Sequence, residues 1–280
     1  MSATESKDKP RGCEDLRAHF GLHETPFTRE IAIQDRWVAP HLDEPRAELR
    51  RTIEQRQSGA IIAPAGSGKT LVLRGLVDDL PEARYHVHYV KVTGLCKRDF
   101  CREIAAAVGI SPVGAYPFLV RRLQEKFEAS HADDARRPVL LVDEAHEMRP
   151  DVLGILRVLT NYDMDSRLVL SVVLSGQPPL ARMLRSDELD ALSQRLAHFT
   201  TLRLLSRAES RAYLTHRLQV AGGRTFLFDE HSVEALYEMT RGNLRAIDRL
   251  ALKSLELAAL AGHPAVDTTT VVAARARLGA

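Results

Sequence analysis

A glycine-rich segment holds the first residues of this chain whose types and spacing could do chemistry. Residues 63–70 read Ala-Pro-Ala-Gly-Ser-Gly-Lys-Thr and follow an apolar run typical of a strand. Such a turn between a strand and a helix lets backbone N–H groups face phosphate oxygens at the helix N-terminus, where the helix dipole also favours anions. The usual pattern of this loop is GxxxxGKS/T, and Ala63 replaces its first glycine with another short residue. The segment predicts a nucleoside triphosphate site lined by Ala63, Pro64, Ala65, Gly66, Ser67, Gly68, Lys69, Thr70 and Leu71.

An acidic pair ends a second apolar run. Residues 139–142 are Val-Leu-Leu-Val, and Asp143 and Glu144 follow them directly. We expect Asp143 to hold Mg²⁺ through water and Glu144 to polarise the attacking water. Lys69 would reach the β- and γ-phosphates, and the Thr70 hydroxyl would coordinate the same Mg²⁺. An ordinary strand–turn–helix with a surface lysine is the alternative for the first motif alone, but the two motifs together favour an ATPase that uses ATP and Mg²⁺.

Composition bounds the architecture and excludes some classes of protein. The 280 residues are 45% hydrophobic and 27% charged, as in a globular protein with one large or two modest domains. Formal net charge is only +2, so a nucleic-acid surface would require local clusters of basic residues. Cys13, Cys96 and Cys101 lack the paired spacing of a zinc site and fit reduced structural cysteines. Because no apolar stretch approaches the roughly 18 residues that span a bilayer and the N-terminus is polar, we expect a cytoplasmic protein without a membrane partner.

Apolar periodicity predicts strands that alternate with helices, followed by helices alone. The predicted strands lie at 59–63, 86–92, 138–142, 168–174 and 199–204, and the intervening helices at 44–57, 71–80, 97–108, 116–129 and 150–162. Helices at 206–221, 229–240, 243–261 and 267–277 complete the chain. Ser206 and Glu209 fit a capping box, and Asp229 and Asp267 fit N-caps.

This order of elements predicts an α/β fold with a parallel sheet and right-handed crossovers. We expect a P-loop core, its sheet flanked by helices, followed by a small all-α lid domain. The corresponding division is a flexible N-terminal tail at 1–18, a nucleotide-binding α/β domain at 19–205 and a helical lid domain at 206–280.

A P-loop core followed by a helical domain resembles the AAA+ layout, which implies three further positions. Gln177 follows the fourth strand, where a first sensor can touch the γ-phosphate and the attacking water, with Ser175 as the alternative. Arg195 precedes the fifth strand, where an arginine finger of an oligomer reaches the neighbouring subunit's γ-phosphate. Arg245 follows Gly-Asn-Leu, with leucine where the family usually has proline, and would act as a second sensor. An ordinary turn residue and salt-bridged surface arginines are the alternatives.

Longer strings resemble one AAA+ family, the ExeA-like ATPases. His-Phe-Gly-Leu at 19–22 and Glu-Thr-Pro-Phe at 24–27 are similar to its F-G-L-x-x-x-P-F opening. Further similar strings are Asp-Glu-Ala-His at 143–146, Ser-Gly-Gln-Pro-Pro-Leu at 175–180, Gln-Arg at 194–195 and Tyr-Leu-Thr-His-Arg-Leu-Gln-Val-Ala-Gly at 213–222. The resemblance runs from about residue 18 to residue 277, nearly the whole chain.

The ExeA-like family divides between secretion-associated ATPases and partners of DDE transposases, the latter similar in role to TnsC, MuB, IstB and TniB. Secretion-type members carry a membrane segment and a peptidoglycan-binding region, and these 280 residues show neither. The resemblance therefore implies a transposition regulator that assembles on duplex DNA with ATP as a homo-oligomeric ring or helical filament. A DDE transposase and a target-selection protein are the implied partners, and hydrolysis would dissolve the assembly. A secretion or envelope-assembly ATPase and a signalling or loader ATPase are the alternatives.

Candidate DNA-binding residues lie after the second predicted strand. The basic ones are Lys97, Arg98 and Arg102, then Arg121 and Arg122 on the following helix. Related transposition ATPases place a lysine and a small polar group in these segments, and Lys97 and the 114–116 turn with Tyr116 are the nearest matches. Contacts of this kind are made with phosphates, so binding would be salt-sensitive and nearly independent of DNA sequence. A solvated basic face is the alternative.

Overall fold

The computed structural model describes residues 14–28, 31–32, 35–132, 136–223 and 226–279. Its helices are α1 Glu14–Phe20, α2 Pro40–Glu54, α3 Lys69–Asp79, α4 Lys97–Ala107, α5 Tyr116–Ala132, α6 Pro150–Leu153, α7 Ile155–Leu159, α8 Pro178–Leu184, α9 Asp190–Ser193, α10 Arg207–Val220, α11 Glu230–Thr240, α12 Leu244–Leu260 and α13 Thr268–Leu278. Its strands are β1 Ser58–Ile62, β2 Tyr85–Lys91, β3 Arg137–Asp143, β4 Ser171–Gly176 and β5 Leu196–Thr201.

The strands form a parallel sheet in the order β2-β3-β4-β1-β5. The inner strands β1 and β4 are buried throughout, and β3 is buried from Pro138 onward. Such continuous apolar burial is typical of parallel strands that are covered on both faces. Because parallel strands end at the same edge, the segments that follow β1, β3 and β4 lie next to each other. The predicted α/β fold is confirmed.

Side chains of β3 alternate between two packed faces of the sheet. Leu140 and Val142 belong to the main apolar cluster, together with Phe100, Ile104, Leu119, Leu123 and Phe127 from α4 and α5. α2 packs against β1, β5 and α3. α2 packs closely on β1 at Gly59. A Cβ at Gly59 would lie 3.3 Å from a methyl group of Leu49 on α2.

The chain divides into two compact units. One unit is formed by residues 39–203, and the other by the described residues before 39 together with 204–279. The division at 203/204 lies two residues before the predicted one at 205/206. The segment 19–38, which we assigned to the α/β domain, instead clusters with the C-terminal helices. Of the tail predicted at 1–18, residues 1–13 lie outside the described part, and α1 begins at Glu14.

Apolar and polar contacts explain why residues 14–38 belong with the helical unit. Leu16, Phe20, Leu22 and Phe27 are buried side chains of this segment. The backbone oxygen of Thr28 accepts a hydrogen bond from the guanidinium of Arg217 on α10, at 2.7 Å. These partners are distant in sequence, so periodicity within the segment could not reveal them.

Several element boundaries differ from the predicted ones. The helix expected at 150–162 is divided into α6 and α7 at Gly154, a residue type that weakens helices. β4 occupies 171–176 instead of 168–174, and β5 occupies 196–201 instead of 199–204. The bounds of β5 follow from its pairing with β1, in which Ile62 lies opposite Thr201. α8 and α9 were not predicted.

The helical unit confirms the predicted caps. Ser206 and Glu209 form a reciprocal capping box at α10, and the Asp229 and Asp267 side chains accept backbone N–H bonds at the starts of α11 and α13. Across the described residues, the structure contains no helix with the length and apolar character needed to cross a bilayer.

Candidate nucleotide site

The loop between β1 and α3 is shaped for a phosphate group. Gly66 and Gly68 have φ angles of 76° and 100°, in the left-handed region that favours glycine. The Ser67 hydroxyl donates to the Pro64 oxygen at 2.8 Å, which closes the turn. Gly68 occupies the N-cap position of α3, and no side chain forms a capping hydrogen bond there. The first N–H groups of α3 thus have no side-chain cap, as a phosphate-binding helix N-terminus requires.

Lys69 meets both predicted carboxylates at this end of the sheet. Its Nζ lies 3.0 Å from Oε2 of Glu144 and 3.6 Å from Oδ1 of Asp143. Lys69 and Asp143 are only 7% and 3% exposed, so their charges interact in a partly desolvated setting. The structure therefore brings together three residues predicted from separate motifs.

Glu144 has an unusual backbone conformation for its type. Its φ of 57° lies in the left-handed region, which is rare for residues with a Cβ and which clusters at functional sites. This turn directs the N–H of Glu144 to Oδ1 of Asp143 at 2.9 Å, and its carboxylate towards Lys69. His146 stands 3.5 Å from the same carboxylate, and its Nδ1 accepts a 3.4 Å bond from the backbone N–H of Gln177.

Hydroxyl groups from two strands contact the Asp143 carboxylate. The Ser175 hydroxyl donates to Oδ1 at 2.7 Å, and the Tyr89 hydroxyl donates to Oδ2 at 3.0 Å. Burial raises the pKa of Tyr89, and the neighbouring Asp143 charge adds to this, so the hydroxyl stays protonated. Ser175 was only the alternative sensor, and Tyr89 was not predicted at all. One signal for Tyr89 was available in the sequence. Tyr89 lies two residues before the end of β2, and β2 is the strand before β3, which ends at Asp143.

These residues fit a magnesium nucleotide. Thr70 is exposed in the first turn of α3, next to Lys69, and Asp143 lies at the end of β3. A hydroxyl and a carboxylate are oxygen donors of the kind that Mg²⁺ prefers, and a lysine with uncapped N–H groups suits the phosphates. Thr70 and Asp143 would hold the metal, and Lys69 with loop 63–68 would hold the phosphates.

Arg195 lies outside the buried cluster and is held by its own subunit. Its guanidinium donates to the Ala191 oxygen at 2.9 Å and forms a close ion pair with Asp165. Asp163, Met164 and Asp165 are three successive non-glycine residues with φ of 48°, 55° and 65°. Met164 between them is 97% exposed. The structure thus adds Asp165 as the partner of the predicted finger, and the finger role itself stays a prediction.

Arg245 belongs to the helical unit. It is exposed in the first turn of α12, where the Asn243 side chain accepts the N–H of Ala246 at 3.1 Å. Gly242 precedes this cap with φ of 76°, and a Cβ there would lie 2.0 Å from the Leu205 oxygen, so only glycine fits. The second-sensor role of Arg245 stays a prediction.

The predicted DNA-binding side chains lie mostly in exposed ion pairs. Lys97 lies 3.5 Å from Asp151, Arg102 3.2 Å from Asp99 and Arg121 2.8 Å from Glu125. Arg98 is exposed on α4, and Arg122 donates to the Ser111 oxygen at 3.1 Å while stacking 5.5 Å from the Phe118 ring. Of these candidates, Lys97 and Tyr116 line one groove together with residues of α6 and α7.

Comparisons with known proteins agree with this geometry. A family model described as "AAA domain" matches residues 50–184. The chain is 31% identical over 239 residues to General secretion pathway protein A of Aeromonas hydrophila, covering 84% of this chain and 43% of that protein. The chain thus spans less than half the length of this relative.

Solved structures of similar fold include proteins that handle DNA. Cdc6p from Pyrobaculum aerophilum matches with TM-score 0.71 and 16% identity, over 90% of this chain and 70% of that one. The Aeropyrum pernix ORC1 protein, solved in complex with DNA, matches with TM-score 0.67 and 18% identity, over 87% and 67%. The RuvB Holliday junction branch migration motor of Thermotoga maritima matches with TM-score 0.59 and 15% identity, over 90% and 73%. At these identities the likeness shows the fold.

The family match, the fold and the residues of the P-loop agree on one activity. An AAA domain that places a lysine and two carboxylates at the phosphate-binding end of a parallel sheet hydrolyses ATP with Mg²⁺. Residues 50–184 match the AAA domain, and the chain is an ATPase that is similar to General secretion pathway protein A, a protein of the ExeA-like group.

Proposed function

We propose that this ATPase is a regulator of DNA transposition. In this proposal, copies of the chain assemble on duplex DNA with ATP, mark a target site and recruit and activate a DDE transposase. Hydrolysis then dissolves the assembly. The proposal rests on the presence of a largely buried ATP site and of a partly exposed arginine, Arg195, that lies outside it. A nucleotide shared between subunits needs both.

The ATP site supplies the switch. The Lys69 ammonium donates to the Glu144 carboxylate at 3.0 Å and neutralises its charge. A bound γ-phosphate would compete for Lys69 and release the Glu144 carboxylate to polarise water. Binding and hydrolysis therefore change the same ion pair. The Gln177 backbone N–H contacts His146 beside Glu144, and Gln177 would report this change.

Assembly would follow from Arg195. If this side chain completes a neighbour's ATP site, each contact joins two different surfaces of the chain. Such head-to-tail contacts generate a closed ring or an open helix. In a helix that follows DNA, a few phosphate contacts per subunit accumulate through repetition.

DNA binding is supported by the start of α4. Lys97, Arg98 and Arg102 fall within the first two turns of this helix, directly after β2. The Aeropyrum ORC1 protein, which has this fold, was solved with DNA, and Drosophila ORC was solved bound to DNA. Contacts from α4 would be made to phosphates. The DNA affinity would therefore depend on salt concentration rather than on base sequence.

Secretion or envelope assembly is the second candidate function. It is favoured by the 31% identity to General secretion pathway protein A, which extends over 84% of this chain. This candidate predicts an ATPase without affinity for duplex DNA.

Electron microscopy of the protein with duplex DNA tests the choice. We expect regular rings or filaments on DNA with a slowly hydrolysed ATP analogue and bare DNA with ADP. The Glu144→Gln variant should form the same assembly with ATP itself, whereas Lys69→Ala should form none. Bare DNA under all conditions, with ATP hydrolysis intact, would contradict the transposition proposal and favour the secretion one.

A further inference from the structure

Tyr89 lies on the edge strand β2 and faces the nucleotide end of the sheet. Its neighbours His88 and Val90 point into the buried core, so the period-2 alternation of a strand puts Tyr89 on the opposite face. Leu141 lies opposite Tyr89 in the β2–β3 register, and Asp143 is two residues further along that same face. A tyrosine side chain spans this distance, and its hydroxyl reaches Oδ2 of Asp143 at 3.0 Å.

The other oxygen of Asp143 is held from the opposite side. Oδ1 accepts the Ser175 hydroxyl from β4 at 2.7 Å and the N–H of Glu144 at 2.9 Å. Strands on both sides of β3 therefore each contribute a hydroxyl donor to one carboxylate. This is a specific consequence of the sheet order β2-β3-β4.

A carboxylate held in this way has little rotational freedom. Asp143 is 3% exposed, so it depends on protein donors rather than bulk water for its hydrogen bonds. Groups that orient a metal-binding side chain commonly affect metal affinity about 10- to 100-fold when removed. Loss of the Tyr89 hydroxyl would leave Oδ2 without its donor and free the carboxylate to turn.

We propose that Tyr89 is a positioning residue for the Asp143 carboxylate, and that its hydroxyl sets how strongly Mg²⁺ enhances nucleotide binding. Tyr89 acts through Asp143. The proposal rests on Asp143 as the metal-holding carboxylate. It is independent of which partner the ATPase serves.

The test compares two single-oxygen deletions on the same strand. The affinity of a fluorescent ATP analogue is measured by titration in EDTA and in Mg²⁺, and the ratio of the two dissociation constants is the Mg²⁺ enhancement. Tyr89→Phe should leave the affinity in EDTA unchanged and lower the enhancement about tenfold. Tyr85→Phe is the matched control, because the Tyr85 hydroxyl is buried on the same strand with no hydrogen-bond partner among the described residues. It should keep the wild-type enhancement.

Two further outcomes separate the inference from its premise. If Asp143→Asn loses the enhancement while Tyr89→Phe retains it, the positioning role of Tyr89 is overturned and the metal role of Asp143 stands. If Asp143→Asn retains the full enhancement, the premise fails and the inference fails with it. A Tyr89→Phe protein whose affinity falls by the same factor in EDTA and in Mg²⁺ keeps the wild-type enhancement and also overturns the proposal, since the defect is then structural.

Discussion

The nucleotide site and the basic start of α4 hold their charges in different ways. Lys69 pairs with Glu144 across 75 positions of sequence, and Tyr89 reaches Asp143 across 54. On α4, Arg102 pairs with Asp99 three positions away, and Lys97 pairs with Asp151 of α6. The first set surrounds the buried Lys69 and Asp143, whereas the ion pairs of α4 lie on its exposed face.

This difference decides what a charge can do. Removing one member of a buried pair leaves the other without compensation, so function and structure respond together. An exposed pair between near neighbours is screened by water and salt and contributes little to stability. The charges at the nucleotide site therefore need one another or a bound nucleotide as partners. The basic side chains of α4 can exchange their acidic partners for a DNA phosphate.

The largest effect is expected from Lys69→Ala. Because this substitution removes the main positive charge for the phosphates, ATP binding and nucleotide-dependent assembly should be abolished. Equilibrium binding of a fluorescent ATP analogue and light scattering with ATP measure the two effects. Lys91→Ala, an exposed lysine at the end of β2, serves as the control. Normal assembly of the Lys69 variant would remove the basis for assigning the phosphate site.

Arg195→Ala should lower hydrolysis about a thousandfold, the scale on which an arginine finger acts. The loss should appear at protein concentrations where wild type assembles, because the arginine serves a neighbouring site. Asp165→Asn breaks the ion pair that holds Arg195 and should keep the assembled rate at or above that of wild type. Steady-state ATPase assays across a protein concentration series measure both. An unaltered rate for Arg195→Ala at high concentration would count against the finger.

Glu144→Gln should slow hydrolysis about a hundredfold or more, because an amide cannot polarise water as a carboxylate does. ATP binding should persist, since the substitution leaves Lys69 free for the phosphates. Single-turnover hydrolysis and analogue binding separate the two properties. Wild-type turnover in this variant would show that another group activates the water.

Neutralising α4 should weaken DNA binding about tenfold or more at moderate salt. In a Lys97, Arg98 and Arg102 triple glutamine variant, the slope of log affinity against log salt should fall by about three units, close to one per phosphate contact. Asp99→Asn should act oppositely, because it releases Arg102 from its acidic neighbour. Fluorescence anisotropy with duplex DNA measures both. A salt slope identical to that of wild type would place the DNA contacts elsewhere. The control is a variant of the helical unit in which Arg207 and Arg211 are both replaced by glutamine.

The smallest effect concerns pH and the buried sheet. Burial lowers the pKa of His88 to about 4, while its Nδ1 contacts the Ala107 oxygen of α4 at 3.1 Å. The unfolded chain binds a proton at higher pH than the folded one, so stability falls as pH drops from about 6.5 towards 4. His88→Gln should reduce the fall in Tm between pH 7 and pH 5 by a few degrees. If the fall in Tm between pH 7 and pH 5 is unchanged in His88→Gln, His88 is excluded as a source of the pH dependence. His86→Gln is the control and should leave this fall as in wild type.

Much of the nucleotide site could be predicted from sequence. Loop 63–70 and the pair at 143–144 lie at the ends of continuous apolar runs, and parallel strands bring such ends to one edge. Tyr89, Asp165 and the packing of 19–38 could not be predicted in the same way. The contacts of each depend on a partner that is distant in sequence. They also depend on strand register and on which face of an element is buried, and sequence periodicity shows neither.

By itself, the sequence determined the P-loop, the acidic pair, the alternation of strands with helices along the chain and the caps at Ser206, Asp229 and Asp267. These are local features, since each follows from the propensity or spacing of neighbouring residues. Only the tertiary structure decided that hydroxyls from β2 and β4 hold Asp143, that Asp165 holds Arg195 and that Arg217 binds the backbone of Thr28. Strand order and packing determine these contacts, because they bring together residues that the chain keeps far apart.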